Sequence, residues 1–228
     1  MNYKEIAIGT FIKRVNRFIA RVWIEGIEQV VHVKNTGRCK ELLLPGAKVI
    51  LEKAQNPARK TPYSLVAVYK GDVLINMDSQ APNQVVYEAL LAGTIKEVPP
   101  ILSAKREVTF GHSRFDVCVE TIEGKEWIEV KGVTLEENGI AMFPDAPTKR
   151  GTKHINELVD AVKKGDKGTI FFLIQLKGID YFTPNKKMDP DFAAALSNAT
   201  AEGVKILCYD SIVTEKGLEI GEPVPVKL

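Results

Sequence analysis

The first eighty residues alternate apolar and polar side chains in short runs. IAIGTFIK, RFIARVWIE, QVVHVKN, AKVILEK, YSLVAVYK and DVLINM are rich in β-branched and aromatic residues, and turn-forming residues separate them: Gly26, Asn35-Thr36-Gly37, Pro45-Gly46, Asn56-Pro57 and Gly71. Each run predicts a strand. One short helix is expected at CKELLL, just ahead of Pro45-Gly46. Five or six short strands with one helix fit a small β-barrel of the OB type, an architecture that often binds nucleic acid.

Beyond residue 81 the period lengthens. In APNQVVYEALLAGTI, the residues Val85, Val86, Ala89 and Leu90 recur at helical spacing, with Asn83 as N-cap and Gly93 as the stop. A basic stretch, SAKREVTFGHSR, comes next. RFDVCVE and KEWIEVKGV then read as two strands, and Asn138-Gly139 marks a further turn. TKHINELVDAVKKGDKG predicts a helix that buries Ile155, Leu158, Val159 and Val162. GTIFFLIQL is apolar without a break, as a strand covered on both faces should be. DPDFAAALSNATAEG predicts another helix, and VKILCYDSIV and LEIGEPVPV closing strands. The order predicts an α/β (α+β) unit whose mixed central sheet is flanked by helices. The expected division is a barrel over 1–80 and this second unit over 81–228.

Composition adds exclusions. At 45% hydrophobic and 26% charged residues the chain can bury a core, so wholesale disorder is not expected. No run approaches the ~18 apolar residues of a membrane span, and MNYKEIAIG lacks the basic-then-apolar pattern of a signal peptide. Cys39, Cys118 and Cys208 are scattered and odd in number, which suits reduced thiols, and no Cys or His pair has zinc spacing. The expectation is a cytoplasmic protein with no membrane partner. Charge is uneven: residues 1–80 carry 13 Lys and Arg against 7 Asp and Glu, and the remainder 18 against 22. A basic front suits a polyanion. Arg14, Arg17, Arg21, Lys34, Arg38, Arg59 and Lys60 are its candidate phosphate contacts.

The charges inside the predicted hairpin change the picture most. A four-residue loop, Thr121-Ile122-Glu123-Gly124, pairs Glu120 with Lys125 and, counting outward, Asp116 with Glu129. Lys131 shares the face of Glu129, while Phe115, Val117, Ile128 and Val130 point to the other. Two carboxylates this close raise one pKa unless a cation intervenes. Two arrangements answer that demand. Lys131 can simply neutralise the pair, or a hard divalent ion can join it, as Mg²⁺ is commonly held by one or two carboxylates with water and phosphate oxygens. The second would make a phosphodiesterase centre, with Lys131 assisting the attacking water or the transition-state charge. Glu88 lies on the preceding helix, where most Glu side chains are merely solvated. A second basic cluster, PDAPTKRGTKH, sets Lys149, Arg150 and Lys153 at a helix start, where backbone N–H groups favour phosphate. His154 and Gln175 are auxiliary candidates for proton transfer or for orienting a water or phosphate.

The stretches GTFIKRVNRFIARV, HVKNTGRCKELLLPG, PNQVVYEALLAG, SRFDVCVE, WIEVKGVTLEENGIAMFPDAPTKRGTKHINEL and YFTPNKKMDPDF resemble the sugar fermentation stimulation protein family along nearly the whole chain. The resemblance implies an OB-like N-terminal domain and a PD-(D/E)XK nuclease-like C-terminal domain. It also implies DNA binding and a link to regulation of sugar, notably maltose, metabolism. By motif, Asp116 is similar to the motif's Asp, and Glu129 and Lys131 to its E-x-K. Glu88 falls where the first helix often supplies an acidic residue, which brings it into the expected metal set. Arg114, a further auxiliary candidate, stands with Phe115 where the motif has Pro, and LKGID follows Gln175 where an Arg-containing stretch is expected, so the resemblance assigns no role to Gln175 or Lys177. The expected cofactor is Mg²⁺ or Mn²⁺ and the expected partner is DNA, with a homodimer left open. The rival expectations are a DNA-binding transcriptional regulator with a vestigial site, and an RNA-acting or metabolic protein whose sugar link is indirect.

Overall fold

A computed structural model describes residues 1–35 and 37–228, so Thr36 of the expected Asn35-Thr36-Gly37 turn lies outside the described residues. The front of the chain folds into strands β1 (Ile6–Arg14), β2 (Ile19–Ile24), β3 (Ile27–Val33), β4 (Lys48–Lys53) and β5 (Tyr63–Lys70). β1 pairs antiparallel with β2 and β4, β2 with β3, and β4 with β5. The ring closes where β3 runs parallel to β5 through His32↔Ser64 and Val33↔Leu65. This is the five-stranded OB-like barrel. Strand β6 (Val73–Asn76) pairs with β5 outside the ring. The sequence alternation survives as inward side chains: Ala20 and Val22 of β2, Val31 and Val33 of β3, and Val49 and Leu51 of β4 are all buried in one core. Gly9 has to be small, because a Cβ there would stand 2.8 Å from the Trp23 carbonyl and 2.9 Å from Leu51 Cδ1.

The expected helix at CKELLL does not form. The segment is a run of turns in which the Cys39 carbonyl accepts from the N–H groups of Leu42 (3.3 Å) and Leu43 (3.0 Å). Cys39 has φ +45° and Pro45-Gly46 follows closely, so no length is left to propagate a helix. Leu42 and Leu43 instead bury against the barrel core.

The second unit opens with helix α1 (Ala81–Leu91) and strands β7 (Ile101–Phe110), β8 (Ser113–Thr121), β9 (Gly124–Val133), β10 (Leu135–Glu137) and β11 (Ile140–Phe143). It continues with α2 (Lys149–Lys163), β12 (Lys167–Ile174), β13 (Tyr181–Pro184), α3 (Pro190–Ala201), β14 (Lys205–Thr214) and β15 (Gly217–Pro223). The main sheet has the order β15-β14-β12-β9-β8-β7, parallel at β9–β12 and β12–β14 and antiparallel elsewhere. A small sheet, β10-β11-β13, stands apart from it. Strand β7 occupies the basic stretch. It is an edge strand with most side chains outside, so it carries charge where a central strand would carry an apolar pattern.

Helices cover both faces. Val85, Val86, Ala89 and Leu90 of α1 pack on Val117, Val119, Ile128, Val130, Phe171 and Leu173. On the other face Ile155, Leu158 and Val159 of α2 and Phe192 and Leu196 of α3 join Phe115, Trp127, Ile170 and Phe172, in a core continuous with that of the barrel. The unbroken apolar run of β12 is therefore explained by its two-sided burial. Thr148 caps α2 by accepting from Gly151 N–H (3.0 Å), and Asp189 caps α3 by accepting from Phe192 N–H (3.0 Å). Helix α1 starts two residues earlier than Asn83: Gln80 is its N-cap residue and Pro82 sits in its first turn, so Asn83 is free of the capping role. Gly93, at φ +65°, ends it as expected. Barrel and sheet are tied by Gln175, whose Nε2 donates to Asn76 Oδ1 (2.8 Å) and whose carbonyl accepts from Asn76 N–H (3.0 Å). The three cysteines are free and buried, and among the described residues no helix is long and apolar enough to cross a membrane.

Candidate functional site

The hairpin register is the one the loop length predicts. Thr121↔Gly124, Glu120↔Lys125, Cys118↔Trp127 and Val117↔Ile128 are paired, and the ladder stops one step short of Asp116 and Glu129. At that step the alternation of β8 breaks. Val117 stays on the α1 face, but Phe115 packs against Trp127 (ring centroids 5.8 Å apart) and His154 (6.1 Å) on the α2 face. This corrects the expectation that Phe115 and Val117 share a face. The cause is local: Asp116 is absent from the β7 ladder as well, and Glu107, across from it, has φ +54°. Asp116 turns its carboxylate into the opened ladder. Its Oδ2 accepts from Val130 N–H (2.8 Å) and its Oδ1 from Asn83 Nδ2 (2.6 Å).

Glu129 is 3% exposed. Its Oε1 accepts from Lys131 Nζ at 2.5 Å and bonds to His154 Nδ1 from α2. Its Oε2 is buried with no hydrogen-bond partner among the described residues. Burial pushes Asp116 up to about 6, and the Glu129 charge adds to the rise, while the Val130 N–H and the Lys131 ammonium oppose it. Burial would raise Glu129 too, but His154 and then Lys131 outweigh it and hold Glu129 below the ordinary carboxylate range. The two acids are thus driven apart: one stays ionised and the other holds its proton into weakly acidic solution. Buried carboxylate oxygens are hydrogen-bonded as a rule. An orphaned Oε2 within electrostatic reach of a second strained carboxylate fits a hard, oxygen-seeking divalent cation.

Close packing brackets the site. A Cβ at Gly132 would stand 2.5 Å from Gln175 Oε1 and 2.7 Å from Pro82 Cγ, so only glycine lets β9, α1 and the end of β12 meet there. A cavity of about 180 Å³ opens alongside, between barrel and sheet, lined by Asn35, Gly37 and Ser79 on one side and Gly132, Asp145 and Gln175 on the other.

The remaining candidates are placed as follows. Glu88 does not reach the pair. It accepts from Gln84 Nε2 (2.6 Å) and bonds the N-terminal ammonium (2.9 Å), and among the described residues no three acidic, His or Cys side chains form a metal-holding group. Glu88 is therefore not gathered with Asp116 and Glu129 as the expected metal set requires. Gln175 is buried, with its amide donating to Asn76 and to the Asp78 carbonyl (3.1 Å), so it joins the units. Lys177 pairs with Asp210 (2.7 Å) and Arg114 with Glu107 (3.4 Å). Arg14 donates to the carbonyls of Arg17, Asn35, Gly37 and Arg38 at 2.6–2.8 Å and so holds loops together. Arg21 pairs with Glu28, and Lys34 with Glu52 and Asp78. Arg17, Arg38, Lys60, Lys149 and Arg150 are exposed with no carboxylate partner among the described residues, and Lys153 donates to the His112 carbonyl (2.8 Å). Sequence reasoning missed the Asn83 contact with Asp116. The available signal was Pro82, which belongs in a first helical turn and so puts Asn83 inside the helix.

Comparison with known proteins identifies the family and matches the fold. The SfsA N-terminal OB domain matches residues 12–77, and the sugar fermentation stimulation protein RE domain matches residues 80–217. The sugar fermentation stimulation protein homolog of Alkaliphilus oremlandii is 53% identical over 99% of this chain and 98% of its own. That of Ruminiclostridium cellulolyticum is 52% identical over the full length of both. The solved structure of Pyrococcus furiosus SfsA in complex with Ca²⁺ superposes with a TM-score of 0.90 at 27% identity, covering 100% of this chain and 98% of that one. Barrel, mixed sheet and sequence together show that the chain belongs to the sugar fermentation stimulation protein family.

Proposed function

We propose that this protein is a Mg²⁺- or Mn²⁺-dependent DNA phosphodiesterase in which the barrel over 1–80 and the unit over 81–228 share the grip on the strand. The observation that carries the reading is the buried, unpartnered Oε2 of Glu129 beside the raised carboxyl of Asp116. Asp116 and Glu129 would hold the cation, which when bound supplies positive charge to the phosphodiester. The relative from Pyrococcus furiosus is described as a complex with Ca²⁺, another hard ion with oxygen ligands. The chain's own groups have clear tasks. Asn83 and the Val130 N–H fix Asp116, and His154 and Lys131 fix Glu129 through its other oxygen. Lys131 is 15% exposed, so its ammonium is the cation that can meet an incoming phosphate. Lys149 and Arg150, exposed at the start of α2, add backbone-phosphate contacts.

One observation favours a second reading, a DNA-binding regulator that does not cut: Glu88 is turned away to the N-terminus, leaving two acids rather than three. Supercoiled, single-stranded and branched DNA incubated with Mn²⁺ separates the readings. Cutting that stops on chelation supports the first, and binding without cutting on any substrate supports the second. Under either, affinity falls steeply with salt, and replacing Lys149 and Arg150 together by Ala lowers the logarithmic salt slope by about two. An unchanged slope would remove both residues from the phosphate grip.

A further inference from the structure

We propose that a pocket on the barrel, between the β1–β2 loop and the β4–β5 loop, seats one unpaired nucleotide of the DNA strand, with its base on Phe18 and its phosphate on Arg59. The pocket has a volume of about 470 Å³, and Phe18, His32, Lys34, Arg59, Ser79 and Gln80 are among its lining residues. That volume lies within the roughly 300–1,000 Å³ range of small-molecule sites. The proposal rests on the nucleic-acid reading above and narrows it to strands with unpaired bases.

Four features argue for it. First, Phe18 is a large apolar side chain held out on purpose-built backbone. Asn16 Oδ1 accepts from the N–H groups of Phe18 (2.9 Å) and Ile19 (3.0 Å), and the Phe18 carbonyl accepts from Val33 N–H (2.8 Å). The ring is nonetheless 51% exposed. An exposed aromatic ring on a hydrogen-bonded backbone is a stacking platform for a base. Second, His32 lines the same pocket, and its Nδ1 is buried without a hydrogen-bond partner among the described residues. Burial and the charges of Arg59 and Lys34 push its pKa below the usual histidine value, with Asp78 opposing, so the ring is neutral at neutral pH and can meet a base edge.

Third, the cation for the phosphate is Arg59. Its Nη2 is anchored on the buried Ser64 hydroxyl at 2.9 Å, and no carboxylate among the described residues pairs with it. Lys34 is already committed to Glu52 (2.9 Å) and Asp78 (3.0 Å) and stands between those acids and the pocket. Fourth, one wall of the pocket belongs to the segment that leads into the support of Asp116. Gln80, on its wall, is the N-cap residue of α1, and Asn83, three residues on, holds Asp116. Three helical residues rise about 4.5 Å, so Gln80 on the pocket wall and Asn83 at Asp116 stand within one turn of each other. A paired base has its faces covered by stacked neighbours and its edge by its partner. Only an unpaired base can offer Phe18 a face.

The test is fluorescence anisotropy of labelled oligothymidylate and of a fully paired duplex, with wild type, Phe18→Ala and Phe18→Tyr in the full chain. Phe18→Ala is expected to weaken oligothymidylate binding about 5- to 100-fold, the loss of one stacked base. Phe18→Tyr is expected to keep it within about twofold, since the aromatic face is retained, and duplex binding by all three proteins should coincide. Oligothymidylate binding unchanged in Phe18→Ala, or duplex binding weakened equally, overturns the pocket and leaves the phosphodiesterase reading standing. A wild type that binds neither DNA overturns that reading and the pocket with it.

Discussion

Glu129→Gln is expected to lower the proposed Mn²⁺-supported DNA cleavage by about a hundredfold or more and to leave DNA binding within about twofold. The substitution keeps size and shape. The amide oxygen can still accept from Lys131, and the amide nitrogen then takes the place of the unpartnered Oε2. That nitrogen is a donor with no lone pair for a cation. On the proposed reading the affected term is the charge delivered at the phosphodiester, which is worth several kcal/mol in such centres, whereas the proposed phosphate contacts of Arg17, Arg38, Lys149 and Arg150 would be untouched. Cleavage of supercoiled DNA and anisotropy on the same preparations read the two quantities side by side. Cutting at the wild-type rate would place the chemistry elsewhere.

Asp116→Asn is expected to stabilise the protein in the absence of divalent ions at pH 8, by about 3 kcal/mol. Burial and then the Glu129 charge raise the carboxyl from 3.8 to about 6. The sign follows from proton binding. Below about 4 the folded and unfolded chains both carry the proton, and the raised pKa costs nothing. As pH climbs through about 6 the folded chain must give up a proton it holds more tightly than the unfolded chain does, so the stabilising contribution of the protonated form is lost. Above that the anion sits buried beside Glu129 at its full cost. Asn cannot ionise, its oxygen can still accept from Val130 N–H, and its amide N–H can donate to Asn83 Oδ1 once the Asn83 amide turns over. The gap between variant and wild type should therefore open between pH 4 and 6 and stay constant above. In thermal melts it amounts to about 6–12 °C for a chain of this size. Added Mn²⁺ should close the gap for wild type alone. A variant less stable than wild type at pH 8 would mean that hydrogen bonds to the anion outweigh its burial.

Much of this arrangement is legible in the amino-acid order because two-residue periodicity and loop length fix strand pairing. Six front strands, the α2 and α3 helices, the two-sided burial of β12 and the Glu120↔Lys125 register all follow from such local signals. What fails is whatever depends on neighbours distant in sequence. Strand β7 is hidden because an edge strand need not be apolar. CKELLL carries helix-forming residues, but tertiary burial of Leu42 and Leu43 and the left-handed turn at Cys39 override the propensity. The candidate site divides in the same way. Glu129 and Lys131 meet on one face as the register predicts, but the ladder ends before Asp116, and the twist of Phe115 to the α2 face arises from that opened ladder, which no alternation rule contains. The approach of His154 to Glu129 needs the α2 docking, and the departure of Glu88 needs the position of the N-terminal ammonium, neither of which periodicity encodes. Among the basic residues, Arg14 and Lys34 look identical to Arg17 and Arg38 in the sequence. Only the folded chain distinguishes cations consumed by carbonyls and carboxylates from those left free.

The most direct measurement is an anomalous-difference map from crystals soaked in Mn²⁺ without DNA. The account predicts a peak within ligand distance of Glu129 Oε2 and an Asp116 oxygen, about 2.1–2.3 Å away, and its disappearance in Glu129→Gln. A map with Lys131 Nζ alone between the two carboxylates, at Mn²⁺ concentrations that fill other sites on the protein, would contradict it and leave an ion-paired sheet face in place of a metal centre.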